Sequence, residues 1–228
     1  YRHQLGGLCL IIGTCLGATT LALPIIFLDL GYQGALILFF ATWIATWGSG
    51  HLLAEVSHAF PKGAHLMRMV HELYPGIYEL ITWFFYMLLL YSLLALYLTG
   101  LVDLSQGIFH WSSRWRPILI LLEAGLGYCA LSVGINGLAR FNYWIITSLV
   151  IVFFIFIGLM VQVAHWQYLV QIDVPRHVAY ALPVVVTAFG YQVIIPTLHG
   201  YALRHHLNLR RLIFYGSFIV LIIYTLWL

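Results

Sequence analysis

Long apolar runs separated by short polar stretches organise the whole chain. The first, Leu5 to Leu28, has 24 residues without a charge and carries Gly6, Gly7, Gly13 and Gly17 along it. The second runs from Gly34 to about His58 with Glu55 near its end, and the third from Leu80 to Val102 has no charge at all. Pro117 opens a fourth that reaches Val133 with Glu123 inside it. Tyr143 to Val163 makes a fifth, Ala179 to Leu203 a sixth interrupted by Gly190 and Pro196, and a seventh begins near Leu212. A helix crosses a bilayer in roughly 20 apolar residues, so the pattern predicts seven transmembrane helices in one all-α membrane domain over residues 1–228. Strands of a membrane barrel alternate polar and apolar positions and never give uncharged runs of this length. Phe60 to Tyr74 is His-rich and amphipathic and predicts an interfacial helix.

Composition agrees with this pattern. Of 228 residues, 63% are apolar and 7% charged, against about 25% charged in soluble domains. Lipid is therefore the solvent of this chain. The net charge of +3 is spread out, so no basic patch argues for nucleic acid. Cys9, Cys15 and Cys129 all lie in apolar runs, too few and too deep for a disulfide framework. The chain opens on Tyr1-Arg2-His3 and stops at Trp227-Leu228 inside an apolar run, so it is expected to be a fragment.

Basic residues of short loops stay on the cytoplasmic side. With the N-terminus inside, cytoplasmic segments hold Arg2, Lys62, Arg68, Arg140, Arg204, Arg210 and Arg211, and outer loops hold Arg114, Arg116 and Arg176. Seven against three selects a cytoplasmic N-terminus.

Two spans are broken. The first reads Gly13-Thr14-Cys15-Leu16-Gly17-Ala18-Thr19-Thr20-Leu21-Ala22-Leu23-Pro24, and the sixth Thr187-Ala188-Phe189-Gly190-Tyr191-Gln192-Val193-Ile194-Ile195-Pro196-Thr197. In each a glycine precedes a proline by six or seven residues, and Gly17 and Gly190 stand 173 residues apart. Irregular backbone is tolerated in a membrane only where it faces protein or a wet cavity. Glycines and prolines also serve ordinary close packing of membrane helices. A pair of interrupted spans in corresponding places is the signature of inverted-repeat secondary transporters. Residues 1–163 would then form the first five-helix repeat and 179–228 the start of the second. Unwinding bares N–H groups that favour a carboxylate and carbonyls that attract an ammonium, which together suit a zwitterionic amino acid.

The same residues carry a resemblance. Gly13-Thr14-Cys15-Leu16-Gly17-Ala18 followed by Leu21-Ala22-Leu23-Pro24 resembles the G-T-x-x-G-A-G-x-L-A-x-P opening of the hydroxy and aromatic amino acid permeases, a bacterial family of tyrosine-specific and tryptophan-specific transporters. Glu55-Val56 with Pro61, Tyr91 and Tyr97 before Gly100, Ala188-Phe189-Gly190-Tyr191 with Pro196 and Tyr201, and Leu209-Arg210-Arg211-Leu212 with Gly216-Ser217 extend the likeness over essentially the whole chain. Two departures stand out: Thr19 replaces the third glycine of the opening motif, and Ala139 and Tyr143 stand where an Asp and an Arg flank the family's Asn, here Asn142. The resemblance implies an eleven-helix transporter of the amino acid-polyamine-organocation superfamily, of which these are the first seven helices. It implies import of an aromatic L-amino acid, tyrosine or tryptophan, by proton symport and alternating access. It implies a multi-pass protein of the bacterial inner membrane, in contact with lipid. No enzyme activity, catalytic residue, cofactor or metal is implied.

By the same resemblance the substrate backbone is held by Thr14, Cys15, Gly17, Ala18 and Thr19 of the first span, mostly through main-chain groups, and by Phe189, Gly190 and Tyr191 of the sixth. The threonine hydroxyls either meet the ligand or bond back to the preceding turn. Phe189 and Tyr191 either cover the ligand or pack between helices. Tyr91 and Tyr97 point about 120° apart on a helix, and Tyr91 is the pocket candidate. Proton coupling needs an ionisable group inside the membrane, and the candidates are Glu123, Glu55 and His199. An alternative is a metal-binding membrane protein using His51, Glu55 and His58, which occupy i, i+4 and i+7 on one helix face. Another is a truncated membrane subunit that transports nothing.

Overall fold

The structure, a computed structural model, describes residues 2–27, 31–61, 64–132, 135–160 and 178–228. Every regular element among them is helical: α1 (Arg2–Cys15), α2 (Ala18–Phe27), α3 (Gly31–His58), α4 (Leu66–Leu73), α5 (Ile77–Phe109), α6 (Arg116–Ser132), α7 (Ile135–Met160), α8 (Val178–Ala188), α9 (Ile195–Arg204) and α10 (Leu209–Trp227). Short 3-10 turns at Ser113–Trp115 and Tyr191–Ile194 precede α6 and α9.

This is an all-α membrane protein. Among the described residues, Gly31–His58, Ile77–Phe109, Ala181–Arg204 and Leu209–Trp227 are long and apolar enough to cross a bilayer. Of the other three expected spans, the first is divided into pieces of 14 and 10 residues, α6 has 17, and the fifth lies in the 26-residue α7, apolar over Tyr143–Leu159. Helix ends depart from the apolar runs where polar residues find partners. α5 continues past Val102 to Phe109, with the exposed carboxylate of Asp103 accepting from Arg116, 3.1 Å away, and the helix closes at His110, whose φ is 53°. The interfacial segment folds as α4, with Arg68 donating to Glu72 one turn on at 2.9 Å.

The chain divides into two compact units, residues 1–66 with 145–228, and residues 67–144. In the second, α5 packs beside α6, and Trp83, Phe84, Phe85, Leu121 and Leu122 are all at least half exposed. Apolar exposure on this scale marks a surface that meets a membrane or another protein surface.

In the first unit, α1 packs on α10 and α9, α2 on α8, and α3 on α8, α9 and α10. Ile11, Leu23, Phe39, Val185, Ile195, Leu198 and Ile213 are fully buried. Lipid tails are as apolar as these side chains, so close packing and interhelical hydrogen bonds hold such a bundle more than burial itself. Gly216 on α10 supplies a close approach, since a Cβ there would lie 2.7 Å from Cδ1 of Ile11 on α1. Trp43 Nε1 of α3 donates to Ser217 Oγ of α10 at 3.1 Å. At the far end of α10, Trp227 Nε1 donates to the Thr20 carbonyl at 2.8 Å.

Candidate functional site: two helix breaks that meet

Both interrupted spans are broken in the structure. α1 ends at Cys15 and α2 begins at Ala18, with Leu16 and Gly17 between them. The Gly17 N–H turns back to the Cys15 carbonyl at 2.9 Å, and Thr20 N–H caps onto the Gly17 carbonyl at 3.0 Å. α8 ends at Ala188, and Phe189 and Gly190 lead into the 3-10 turn that starts α9. Gly190 is required here because a Cβ would lie 2.8 Å from the Thr187 carbonyl oxygen, a backbone atom that has little room to yield. Pro196 sits in the first turn of α9, where its missing N–H costs nothing.

The two breaks share one hydrogen-bond donor. The hydroxyl of Tyr224 on α10 lies 2.7 Å from the Cys15 carbonyl and 3.0 Å from the Ala188 carbonyl. Those are the last residues of α1 and α8, the ends where the helix dipole gathers negative charge. Aromatic rings close the space around this point. Phe189 meets the Tyr224 ring edge to face at 5.3 Å, and Phe39 lies 5.8 Å from Tyr224 and 6.2 Å from Phe189. The sequence leads one to expect bare peptide dipoles facing a hollow; instead Tyr224, Phe189 and Phe39, all fully buried, occupy it.

The turn after the second break is tied to α3. Tyr191 Oη donates to the Thr46 carbonyl at 3.0 Å, and Gln192 Nε2 reaches the same oxygen at 3.5 Å and Ser49 Oγ at 3.3 Å. Ser49 Oγ also donates to that carbonyl at 3.0 Å. Phe189 and Tyr191 thus pack between helices.

Cys15, Gly17, Phe189, Gly190 and Tyr191 therefore lie at the two breaks. Thr14 takes the back-bonded alternative, its hydroxyl lying 2.8 Å from the Ile11 carbonyl and 3.2 Å from that of Leu10. The side chains of Ala18 and Thr19 lie outside the described residues, as do those of Ala139 and Asn142. Tyr91 belongs to α5 in the other unit and is 70% exposed. Residues that sequence reasoning passed over are Tyr224, whose partners are up to 209 positions away, and Thr20, whose hydroxyl is buried without a partner.

The ionisable candidates are dispersed. Glu55 accepts from Arg210 at 2.8 Å, with both side chains more than half exposed. His199 is nearly buried, and its Nε2 lies 3.1 Å from Nδ1 of His58, so one ring donates to the other. His51 packs beside Trp47, ring centroids 5.1 Å apart. The three members of the proposed metal stripe thus turn to different neighbours. Among the described residues no group of three or more His, Cys, Asp or Glu side chains is placed to hold a metal ion. In the second unit, Glu123 accepts from Ser105 at 3.1 Å through one oxygen, and its other oxygen is buried without a partner.

An all-helical, multi-pass membrane protein with two broken helices meeting at one point is the architecture of a permease, and comparison with known proteins agrees. Residues 2–228 match the model of the tryptophan/tyrosine permease family, and the chain belongs to that family. This is a family of transport proteins and not of enzymes. The chain is 27% identical over 98% of its length to the tryptophan-specific transport protein of Haemophilus influenzae, covering 57% of that protein. It is 25% identical over 99% of its length to tyrosine-specific transport system 1 of the same organism, covering 56% of it. With the tryptophan-specific transport protein of Pseudomonas aeruginosa the identity is 25%, over 98% of this chain and 55% of that one. The chain thus spans about half the length of the curated relatives it matches. No solved structure matches it.

Proposed function

We propose that this protein serves in import of an aromatic L-amino acid, tyrosine or tryptophan, across a bacterial inner membrane by proton symport and alternating access. The N-terminus lies in the cytoplasm. The observation that carries the reading is the convergence of the Cys15 and Ala188 carbonyls, the negative ends of two half-helices, on a single point. A substrate ammonium belongs at those carbonyls, and a carboxylate belongs at the N–H groups that open the following half-helices. Thr14, Cys15, Gly17, Ala18 and Thr19 on one side and Phe189, Gly190 and Tyr191 on the other form the site, mostly through main-chain groups. Substrate names carried by the relatives support the aromatic class.

Proton coupling is assigned to an intramembrane acid or histidine. Glu123 is favoured by its one unpartnered buried oxygen. His199 is engaged with His58, and Glu55 is an exposed partner of Arg210.

The test is uptake of labelled Tyr, Trp and Phe into proteoliposomes carrying the protein in the longest form its gene encodes, with and without an imposed proton gradient. Saturable uptake that collapses with the gradient is the expected result. Absence of saturable uptake for all three sinks the substrate assignment, and uptake indifferent to the gradient sinks the coupling.

A further inference from the structure

We propose that Tyr224 is a specificity-determining residue: its hydroxyl holds the ammonium position of the empty site and is displaced by a ligand that carries an amine. The inference rests on the aromatic amino acid reading above and adds to it a residue from α10 that neither break contains.

The chemistry follows from counting hydrogens. Cys15 and Ala188 each present a carbonyl at the end of a half-helix, and both lie within 3.0 Å of the same phenolic oxygen. A phenol has one proton to donate, so the two carbonyls share it. A primary ammonium has three N–H donors and a full positive charge, and hydrogen bonds from a charged donor are roughly twice as strong as neutral ones. The same two oxygens thus accept an ammonium better than they accept Tyr224. The phenol is held there by buried rings, Phe189 at 5.3 Å and Phe39 at 5.8 Å. Trp43 and Trp227 fasten α10 to α3 and α2 on either side of it along the helix.

A neutral stand-in of this kind has two effects. Without Tyr224 the Cys15 carbonyl would keep the Gly17 N–H while both carbonyls lost the phenol's hydrogen, and an under-satisfied buried carbonyl destabilises the empty protein. Tyr224 also lowers the net gain of an amine ligand by the bond that ligand displaces, whereas a ligand without an amine leaves Tyr224 on the carbonyls. It thereby sets how strongly amino acids are preferred over their deaminated counterparts, and that preference widens when its hydroxyl is removed.

The experiment measures binding of L-tryptophan, tryptamine and indole-3-propionate by titration calorimetry to the purified protein in nanodiscs, for the wild type and Tyr224→Phe. Removing the hydroxyl removes the competitor while leaving the ring. L-Tryptophan and tryptamine are expected to bind up to about tenfold more tightly, the worth of one ordinary hydrogen bond, and indole-3-propionate to stay unchanged. Equal shifts for all three ligands, or none for any, overturn the role of Tyr224 and leave the permease reading standing. If tryptamine gains in the variant while L-tryptophan binds neither protein, the ammonium position stands and the amino acid reading falls. If nothing binds either protein, both fall. Should Tyr224→Phe fail to fold, 3-fluorotyrosine placed at 224 keeps the hydroxyl and makes it a stronger donor. Amine ligands should then bind several-fold more weakly, and no change in their binding counts against the proposal.

Discussion

Replacing Gly216 with alanine puts a carbon where Ile11 already stands. The new Cβ would lie 2.7 Å from Cδ1 of Ile11 and 3.0 Å from both its Cβ and Cγ2, whereas carbons pack best at about 3.5–4.0 Å. Cδ1 can rotate aside, but Cβ is fixed to the backbone of α1 and Ile11 is fully buried. The two helices must therefore part by about 0.5–1 Å. Overpacking of this kind costs about 1–3 kcal/mol, and alanine's better helix propensity offsets about 1 kcal/mol of it. The net loss reaches about 2 kcal/mol, and each kcal/mol lowers the melting temperature by about 2–4 °C in a chain of this length. Ile11→Ala alone leaves a void and costs about 2–5 kcal/mol. In the double variant the methyl at 216 grows into the vacated space, so the two losses should fall short of additivity by about 0.5–3 kcal/mol. Thermal unfolding of the four proteins in a single detergent measures this cycle. Strict additivity, or a Gly216→Ala protein more stable than the parent, would refute the claim that α1 and α10 touch at this level.

Gly190→Ala should act on the break itself, since its Cβ meets the backbone oxygen of Thr187 at 2.8 Å; amino acid binding should be lost while the protein still purifies as a single species, and unchanged affinity contradicts this. Glu55→Gln removes one partner of an exposed ion pair, so the stability change should stay within about 1 kcal/mol, read from the same melting assay. His205 stacks on His3 with centroids 3.9 Å apart, and desolvation, then the charges of His3, Arg204 and His206, hold its imidazole below the usual histidine range. The unfolded chain then binds protons that the folded one refuses, so stability should fall as pH drops through about 6.5 towards the folded value and level off below it. A melting curve flat from pH 8 to about 5, or one whose slope survives in His205→Gln, removes that account. Glu123→Gln should abolish the dependence of uptake on the proton gradient, measured in the same vesicles as the parent.

The breaks were legible in the chain because Gly17 with Pro24 and Gly190 with Pro196 mark local backbone, and local backbone obeys local rules. Their occupant was not. Tyr224 sits in an apolar helix with nothing in its neighbourhood to distinguish it from the other tyrosines, and its role comes from carbonyls that backbone carries at every position. Asp103 misled in the opposite way: a charge within an apolar helix reads as its end, yet α5 runs on past it, with Arg116 of the next helix paired to the carboxylate. The spacing of His51, Glu55 and His58 placed them correctly along one helix and still suggested the wrong chemistry. Arg210 and His199 approach from distant segments and claim Glu55 and His58 first.

The Thr46 carbonyl on α3 takes hydrogens from Tyr191, Gln192 and Ser49. Nearer its end, α3 is joined to α9 again where His58 meets His199. Riveted at two heights, α3 and α9 must travel as one plank. Phe189 and Gly190 are the unwound residues that join this plank to α8.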